Sequence, residues 1–179
     1  MEHDLEDTMA LLTRTPAGLN ALLRDLPETW TQRDEGEGTW NVHGVVGHLI
    51  QGERADWMPR VKRVLEFGER RAFEPFDRRG HEREIEGKSL GELLDEFAGL
   101  RKTNLSELRE LHLRREDMEL RGRHPAFGEV TLGELLATWA AHDLTHLHQI
   151  SRIMAHQYRE AVGPWSAYLG VMQCAGHSS

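Results

Sequence analysis

The stretch TLGELLATWAAHDLTHLHQI, residues 131–150, decides the fold of this chain of 179 residues. Thr131 and Glu134 form a capping box, the reciprocal pair of side-chain hydrogen bonds that marks the start of a helix. Apolar side chains then recur every three or four residues, which predicts a helix with one buried face that continues to about Tyr158. The members of that face are Leu132, Leu135, Leu136, Trp139, Ile150, Ile153 and Met154.

The same spacing predicts two further long helices before this one. Asn41 can cap a helix that runs to about Phe67. Pro59 lies inside that helix and lacks a backbone N–H, so we expect a kink or break near residues 57–58. A second capping box, at residues 89–92, starts the other long helix.

The first helical stretch begins near Leu5, and Pro27 ends it. Thr15 can serve as an N-cap for Pro16, because proline suits the first position of a helix. The stretch is therefore either two helical pieces or one kinked helix. Residues 28–40 are polar and contain glycine, which predicts a loop.

Long connections separate these helices. Residues 68–88 are predicted to form a surface connection anchored by Phe73 and Phe76. Residues 113–130 contain glycine and proline, which indicates a short hairpin or an extended segment before the last long helix. A short C-terminal helix follows residues 163–164. Four principal helices with long crossovers predict an all-α fold, a four-helix bundle.

The length suits a single domain, residues 1–179. The formal net charge of −8 argues against a nucleic acid partner and against an anionic membrane surface. No apolar run approaches the ~20 residues of a membrane span, and the acidic N-terminus lacks a signal peptide's apolar segment. The single cysteine, Cys174, allows no internal disulfide. We therefore expect a cytoplasmic protein whose partner is a small-molecule substrate.

The sequence contains eleven histidines. Three of them lie within residues 142–148 of the last long helix, and helical geometry predicts which of the three face the core. His142 and His146 lie about 40° apart at the edge of the apolar face, whereas His148 falls nearly opposite. Two histidines four residues apart can bind one metal ion, because their side chains lean the same way one turn apart. The alternative is a pair of hydrogen-bonded histidines at the edge of the core.

A third ligand is expected from another helix, and His48 is the best candidate. Gly44 and Gly52 lie one turn before and one turn after it, which leaves space around the imidazole. Close helix packing through glycine is the alternative explanation, although glycine costs a helix up to about 1 kcal/mol per residue. His43 competes with His48, but it lies in the first turn, where an exposed position is expected.

Three neutral histidines would leave coordination positions open on the ion, as in catalytic sites. Asp143 and Gln149 are candidates to accept the remaining imidazole N–H groups. Asp143 could instead make a hydrogen bond between helices. His124 could line the mouth of a pocket, and we expect no ligand role for the remaining histidines, including His81, His156 and His177.

Other metal chemistries lack their residues. No histidine follows a glutamate by three positions, as a di-iron bundle needs. Position 143 is Asp, so the glutamate base of an HExxH metalloprotease is absent.

Four segments resemble the DinB/YfiT-like superfamily: WNVHGVVGHL at 40–49, HPAFGEVTL at 124–132, HDLTHLHQI at 142–150 and VGPW at 162–165. The resemblance implies an up-down-down-up four-helix bundle of DinB type. It implies a zinc or nickel ion bound by His48, His142 and His146, and a homodimer. Characterised members include two kinds of enzyme. One is a metal-dependent thiol-S-transferase that uses bacillithiol, and the other is a mycothiol-dependent isomerase.

Together these observations predict a metal-dependent enzyme. It would be a thiol-S-transferase with a low-molecular-weight thiol as co-substrate, or a hydrolase that uses water. The alternative is a non-catalytic, stress-associated dimeric binding protein in which the metal is structural or vestigial.

Overall fold

The computed structural model describes residues 4–174, and four long helical segments form a bundle. The first and third segments are single helices, α1 (Leu5–Leu23) and α6 (Leu90–Glu110). The second consists of α3 (Val42–Ala55) and α4 (Trp57–Phe67), and the fourth is α7 (Leu132–His156). Helices α1 and α3 each pack against both α6 and α7. The predicted four-helix bundle of up-down-down-up topology is confirmed.

Helix α1 is continuous through Pro16, so the predicted N-cap at Thr15 is wrong. Proline has no N–H to donate to the carbonyl four residues earlier, which here belongs to Leu12. The side chain of Arg101 on α6 supplies the missing donor, because its Nη1 lies 2.9 Å from the Leu12 carbonyl oxygen. A contact between two helices therefore replaces the lost hydrogen bond, and α1 ends only at Leu23.

The predicted break in the second segment occurs at Asp56, between α3 and α4. Pro59 explains its position, since the proline ring clashes with the carbonyl four residues earlier, at Ala55. At the other end of α3, the Asn41 side chain accepts a hydrogen bond from the Gly44 N–H at 2.9 Å, as its role as N-cap requires.

The connections contain more regular structure than the sequence indicated. A short helix, α2 (Glu28–Thr31), lies where only a loop was expected. Another, α5 (Gly80–Ile85), packs against α3 within the predicted surface connection. Phe73 in that connection is buried, which agrees with its expected anchoring role.

The predicted hairpin is present, and it precedes α7. Strands β1 (Arg121–His124) and β2 (Gly128–Thr131) pair antiparallel, with His124 opposite Gly128. The short C-terminal helix expected after residues 163–164 is a 3₁₀ helix, Gly163–Tyr168, and a second 3₁₀ helix, Gly170–Met172, follows it.

Two apolar clusters form the core, one at each end of the bundle. Along α6, Phe97 belongs to one cluster and Leu105 to the other, and the buried Arg101 lies between them. A polar layer therefore crosses the middle of the bundle. Within residues 4–174, every helix is too short or too polar to cross a bilayer.

Candidate metal centre

Three histidine side chains from two helices converge at one point. His48 is on α3, and His142 and His146 are one turn apart on α7. The Nε2 atom of His142 lies 3.0 Å from Nε2 of His48 and 3.1 Å from Nε2 of His146. One nitrogen of each ring lies within 4.8 Å of the other two, so a single ion could contact all three.

Burial keeps these imidazoles neutral. Burial and, to a smaller extent, the nearby His146 and His81 lower the pKa of His48 to about 3. Burial also lowers the pKa of His142, with added repulsion from the other two histidines of the group and from Arg101. Burial also lowers the pKa of His146. All three rings can therefore offer lone pairs at neutral pH.

The hydrogen bonds around the rings favour a cation between them. Nδ1 of His146 donates to Oε1 of Gln149 at 2.7 Å, which leaves the His146 Nε2 as a lone pair. A proton on Nε2 of His142 could point to only one of its two close neighbours. At least one close pair would therefore lack a donor. Zinc–nitrogen bonds of about 2.0–2.1 Å in tetrahedral geometry would fit a spacing only slightly wider than the present one.

A second polar group lies directly behind the histidines. Arg101 donates from Nη1 and Nη2 to the two Asp143 oxygens at 2.6 and 2.9 Å. It also donates to Glu53 Oε1 at 2.8 Å. Trp139 and Asn104 donate to the same Glu53 carboxylate at 2.9 and 3.0 Å. We call these five residues the arginine cluster.

The arginine cluster corrects the role expected for Asp143. Both of its oxygens are occupied by Arg101, and among the described residues no histidine donates to it. Asp143 acts on His146 only through its charge, which opposes the lowering of that pKa. The alternative of a hydrogen bond between helices is the one that the structure contains. Gln149, the other candidate, lies against His146 as expected.

The histidine group opens into a cavity of about 600 Å³. His48 and His142 line it together with Trp40 and Trp57. Both indoles also contact the histidines, with ring centroids 5.0 Å apart for Trp40 and His48 and for Trp57 and His142. A small organic molecule could therefore reach the nitrogens along an aromatic wall.

The glycines beside His48 make room for this wall. A Cβ atom at Gly44 would lie 3.2 Å from the Trp40 side chain, and one at Gly52 would lie 3.0 Å from the Trp57 indole nitrogen. Each glycine therefore makes room for a tryptophan side chain, which is neither open space around the imidazole nor a close contact between two helices.

An ion pair forms another part of the cavity wall. Nε of Arg60 lies 2.7 Å from Oδ1 of Asp56, and each side chain is 12% exposed. Burial raises the pKa of Asp56 to about 6, although Arg60 opposes this rise. Neither residue was predicted from the sequence. Their spacing, four residues apart on either side of Pro59, was the available signal.

The sequence matches the model of the DinB superfamily over residues 11–150. This chain belongs to the DinB superfamily. The matched segment of this DinB protein includes all three converging histidines. No curated protein matches it in sequence.

The solved structures include a similar fold. YfiT from Bacillus subtilis is described as a probable metal-dependent hydrolase with an unusual four-helix bundle topology. It is 20% identical to this DinB chain over 90% of each chain, with a TM-score of 0.73. The likeness concerns the fold.

The other histidines of this DinB protein lie elsewhere. Nδ1 of His43 lies 3.4 Å from the Thr31 carbonyl oxygen, and His148 is exposed. His81 is buried and donates from Nδ1 to the Arg78 carbonyl oxygen at 3.1 Å. His124 lines the cavity, where its ring stacks on Phe127 with centroids 4.4 Å apart. The expectation for His177 concerns a residue outside the described range.

Proposed function

We propose that this protein is a metal-dependent enzyme with an open three-histidine centre formed by His48, His142 and His146. The carrying observation is the convergence of three neutral imidazole nitrogens beside a cavity, whose wall includes His48 and His142. The description of YfiT as a probable metal-dependent hydrolase supports the same class of activity.

The surrounding charge supports a cation at this point. Arg101 carries one positive charge, and Glu53 and Asp143 carry two negative charges, so the arginine cluster has a net charge of about −1. The cluster is buried, with side-chain exposures of 2%, 0% and 0%, so little solvent screens its field. The neutral histidines in front of it would hold a divalent ion, for which we propose zinc or nickel.

Each part of the site would have a different role in such an enzyme. The bound ion would lower the pKa of a water or thiol that reaches it. The histidines would serve as ligands and therefore not as bases. Trp40 and Trp57 would hold the apolar part of a substrate and restrict water. Gln149 would fix the orientation of the His146 ring.

The attacking group must come from outside the protein. Within the described part of the chain, the cavity wall contains no cysteine. The carboxylate of Asp56 is paired with Arg60, and that of Glu134 accepts from the Thr131 N–H. We therefore propose attack by a low-molecular-weight thiol in a thiol-S-transfer reaction, or by water in a hydrolysis. The same site suits both reactions.

Metal analysis of tag-free protein tests the centre. We expect close to one ion per chain in the wild type, and its loss in His48→Ala and in His146→Ala. His148→Ala is the matched control from α7, and it should retain the ion because His148 is exposed. A metal-free wild type with the same melting temperature as both site variants would exclude the proposal.

A cobalt-substituted protein tests whether the centre is open. We expect 2-mercaptoethanol, a neutral thiol, to bind the cobalt ion and to produce a thiolate-to-cobalt absorption band. A spectrum that no thiol changes, in a protein that still hydrolyses activated esters, would favour hydrolysis. If the metal only raised the melting temperature, and neither thiols nor esters reacted, the alternative of a binding protein would replace the enzyme.

A further inference from the structure

Arg60 is held in place on one edge of its guanidinium group. Its Nε is paired with Asp56 Oδ1 at 2.7 Å. Its Cζ lies 5.2 Å from the ring centroid of Phe73, which is itself buried. An ion pair and an aromatic face therefore fix the group before any ligand binds.

The other edge of the same guanidinium is unused. Within residues 4–174, neither Nη1 nor Nη2 of Arg60 donates a hydrogen bond to the protein. The side chain is only 12% exposed and lines the cavity that contains His48 and His142. The buried side-chain atoms that lack a partner do not include Nη1 or Nη2 of Arg60, so both face the open space of the cavity and can donate to a molecule that enters it.

The other charges around the cavity leave these donors unmatched. Glu134 is committed to its capping box, where it accepts from the Thr131 N–H at 2.7 Å. Arg78 also lines the cavity, and the described residues provide no acidic partner for its side chain. The wall carries two arginines and two carboxylates, and both carboxylates are already bonded within the protein, Asp56 to Nε of Arg60 and Glu134 to the Thr131 N–H.

We propose that Arg60 binds a carboxylate of the molecule that approaches the metal centre, so that the substrate or thiol co-substrate is a carboxylic acid. This proposal rests on the proposed function. The fork of Nη1 and Nη2 matches the two oxygens of a carboxylate. Asp56 is a positioning residue, because it occupies Nε and leaves this fork free.

A pair of thiols, one with a carboxylate and one with a neutral amide in its place, tests whether Arg60 binds a carboxylate. The cobalt-substituted protein is titrated with 3-mercaptopropionate and with its neutral amide, 3-mercaptopropionamide, and the thiolate-to-cobalt band gives both dissociation constants. We expect the acid to bind at least about tenfold more tightly, the size of a charge-assisted hydrogen bond. Arg60→Met should bring the two thiols to similar affinity, and Arg60→Lys should restore only part of the preference.

Arg63→Met is the matched control. Arg63 lies on the same helix, but it donates to the Ala72 carbonyl oxygen at 2.6 Å and to Glu74 at 3.0 Å, away from the cavity wall. It should keep the full preference for the acid. The double variant Asp56→Asn/Arg60→Met guards against misfolding, since it leaves no buried carboxylate without its partner.

The outcomes separate the two proposals. A preference for the acid that survives in Arg60→Met would place the carboxylate on the metal itself and would overturn the role of Arg60. Equal affinity of the wild type for both thiols would overturn it as well. If neither thiol produced a band, the thiol-binding centre of the proposed function would fail instead.

Discussion

The arginine cluster and the histidine group connect the same two helices, but they differ in how their polar atoms are satisfied. His48 and Glu53 lie on α3, and His142 and Asp143 are consecutive on α7. Within the arginine cluster, Arg101 is bonded to both carboxylates. In the histidine group, Nδ1 of His48 and Nδ1 of His142 have no partner among the described residues.

This difference distinguishes structure from function in one layer of the bundle. Both carboxylates of the arginine cluster are paired within the protein, although Nε of Arg101 has no partner among the described residues. The contribution of the cluster is therefore to hold α3, α6 and α7 together. In the histidine group the three Nε2 atoms also converge without enough protons to bond them to one another, and the group faces a cavity, so a cation from outside would complete it. Neighbouring residues on α7 therefore serve opposite purposes.

The largest effect is expected from breaking the arginine cluster. Arg101→Met would leave the carboxylates of Glu53 and Asp143 buried without a cation, and it would also free the Leu12 carbonyl. We expect the free energy of unfolding to fall by about 3–5 kcal/mol, as for other broken buried ion pairs. Urea unfolding of the metal-free protein measures this loss.

The neighbouring Lys102→Met is the control for this loss. Lys102 is exposed, so we expect a change of less than about 0.5 kcal/mol. If Arg101→Met cost no more than Lys102→Met, the arginine cluster would not hold the helices together.

The next effect concerns protonation of the histidine group in metal-free protein. The pKa values of His48 and His142 are lowered to about 3 and about 2, so the unfolded chain binds protons that the folded protein does not. Stability is therefore full above pH 6.5 and declines as the pH falls below it. At pH 5.5 the two histidines together should cost about 2–3 kcal/mol relative to pH 8.

Asp56 acts in the opposite direction, because its raised pKa favours the folded protein at low pH. Comparison with His48→Gln/His142→Gln cancels this contribution, since both proteins contain Asp56. The double variant should lose about 2–3 kcal/mol less between pH 8 and pH 5.5, measured by urea unfolding with a chelator present. Parallel pH profiles for the two proteins would contradict the buried, neutral state of these histidines.

A smaller effect is expected from Gln149, which accepts a hydrogen bond from His146. Gln149 is the only described residue whose side chain accepts a hydrogen bond from the histidine group. Gln149→Leu should weaken zinc binding by about 10–100-fold, because the His146 ring loses its orientation. Competition with a chromogenic chelator gives the affinity. Ser151→Ala, on the exposed side of α7, should leave it unchanged.

Local patterns predicted much of the fold. Capping boxes at Ser89 and Thr131 and the cap at Asn41 started helices where the structure has them. Thr15 and Pro16 gave a wrong prediction of a helix start, because the donor that replaces the lost hydrogen bond of α1 comes from Arg101, on another helix. Sequence spacing contains no information about such a distant partner.

The candidate site was also predicted only in part, because sequence spacing describes positions within one helix and not contacts between helices. Helical phase separated His142 and His146 from the exposed His148, since it depends only on positions within one helix. The partner of Asp143 and the place of Arg60 in the cavity wall depend on how helices pack. A signal for the arginine cluster was present, because Arg101 falls on the same face of α6 as Phe97 and Leu105.

The β1–β2 hairpin has a further consequence for how this protein can diversify. Its tip carries Phe127, which is 80% exposed at the cavity, while the histidines stand on long helices of the bundle. Mutations, insertions and deletions at this tip would alter which molecules enter the cavity without a cost to the core. Selection could therefore replace the substrate of a DinB protein by changing a few residues of one turn, while the metal-binding scaffold stays constant.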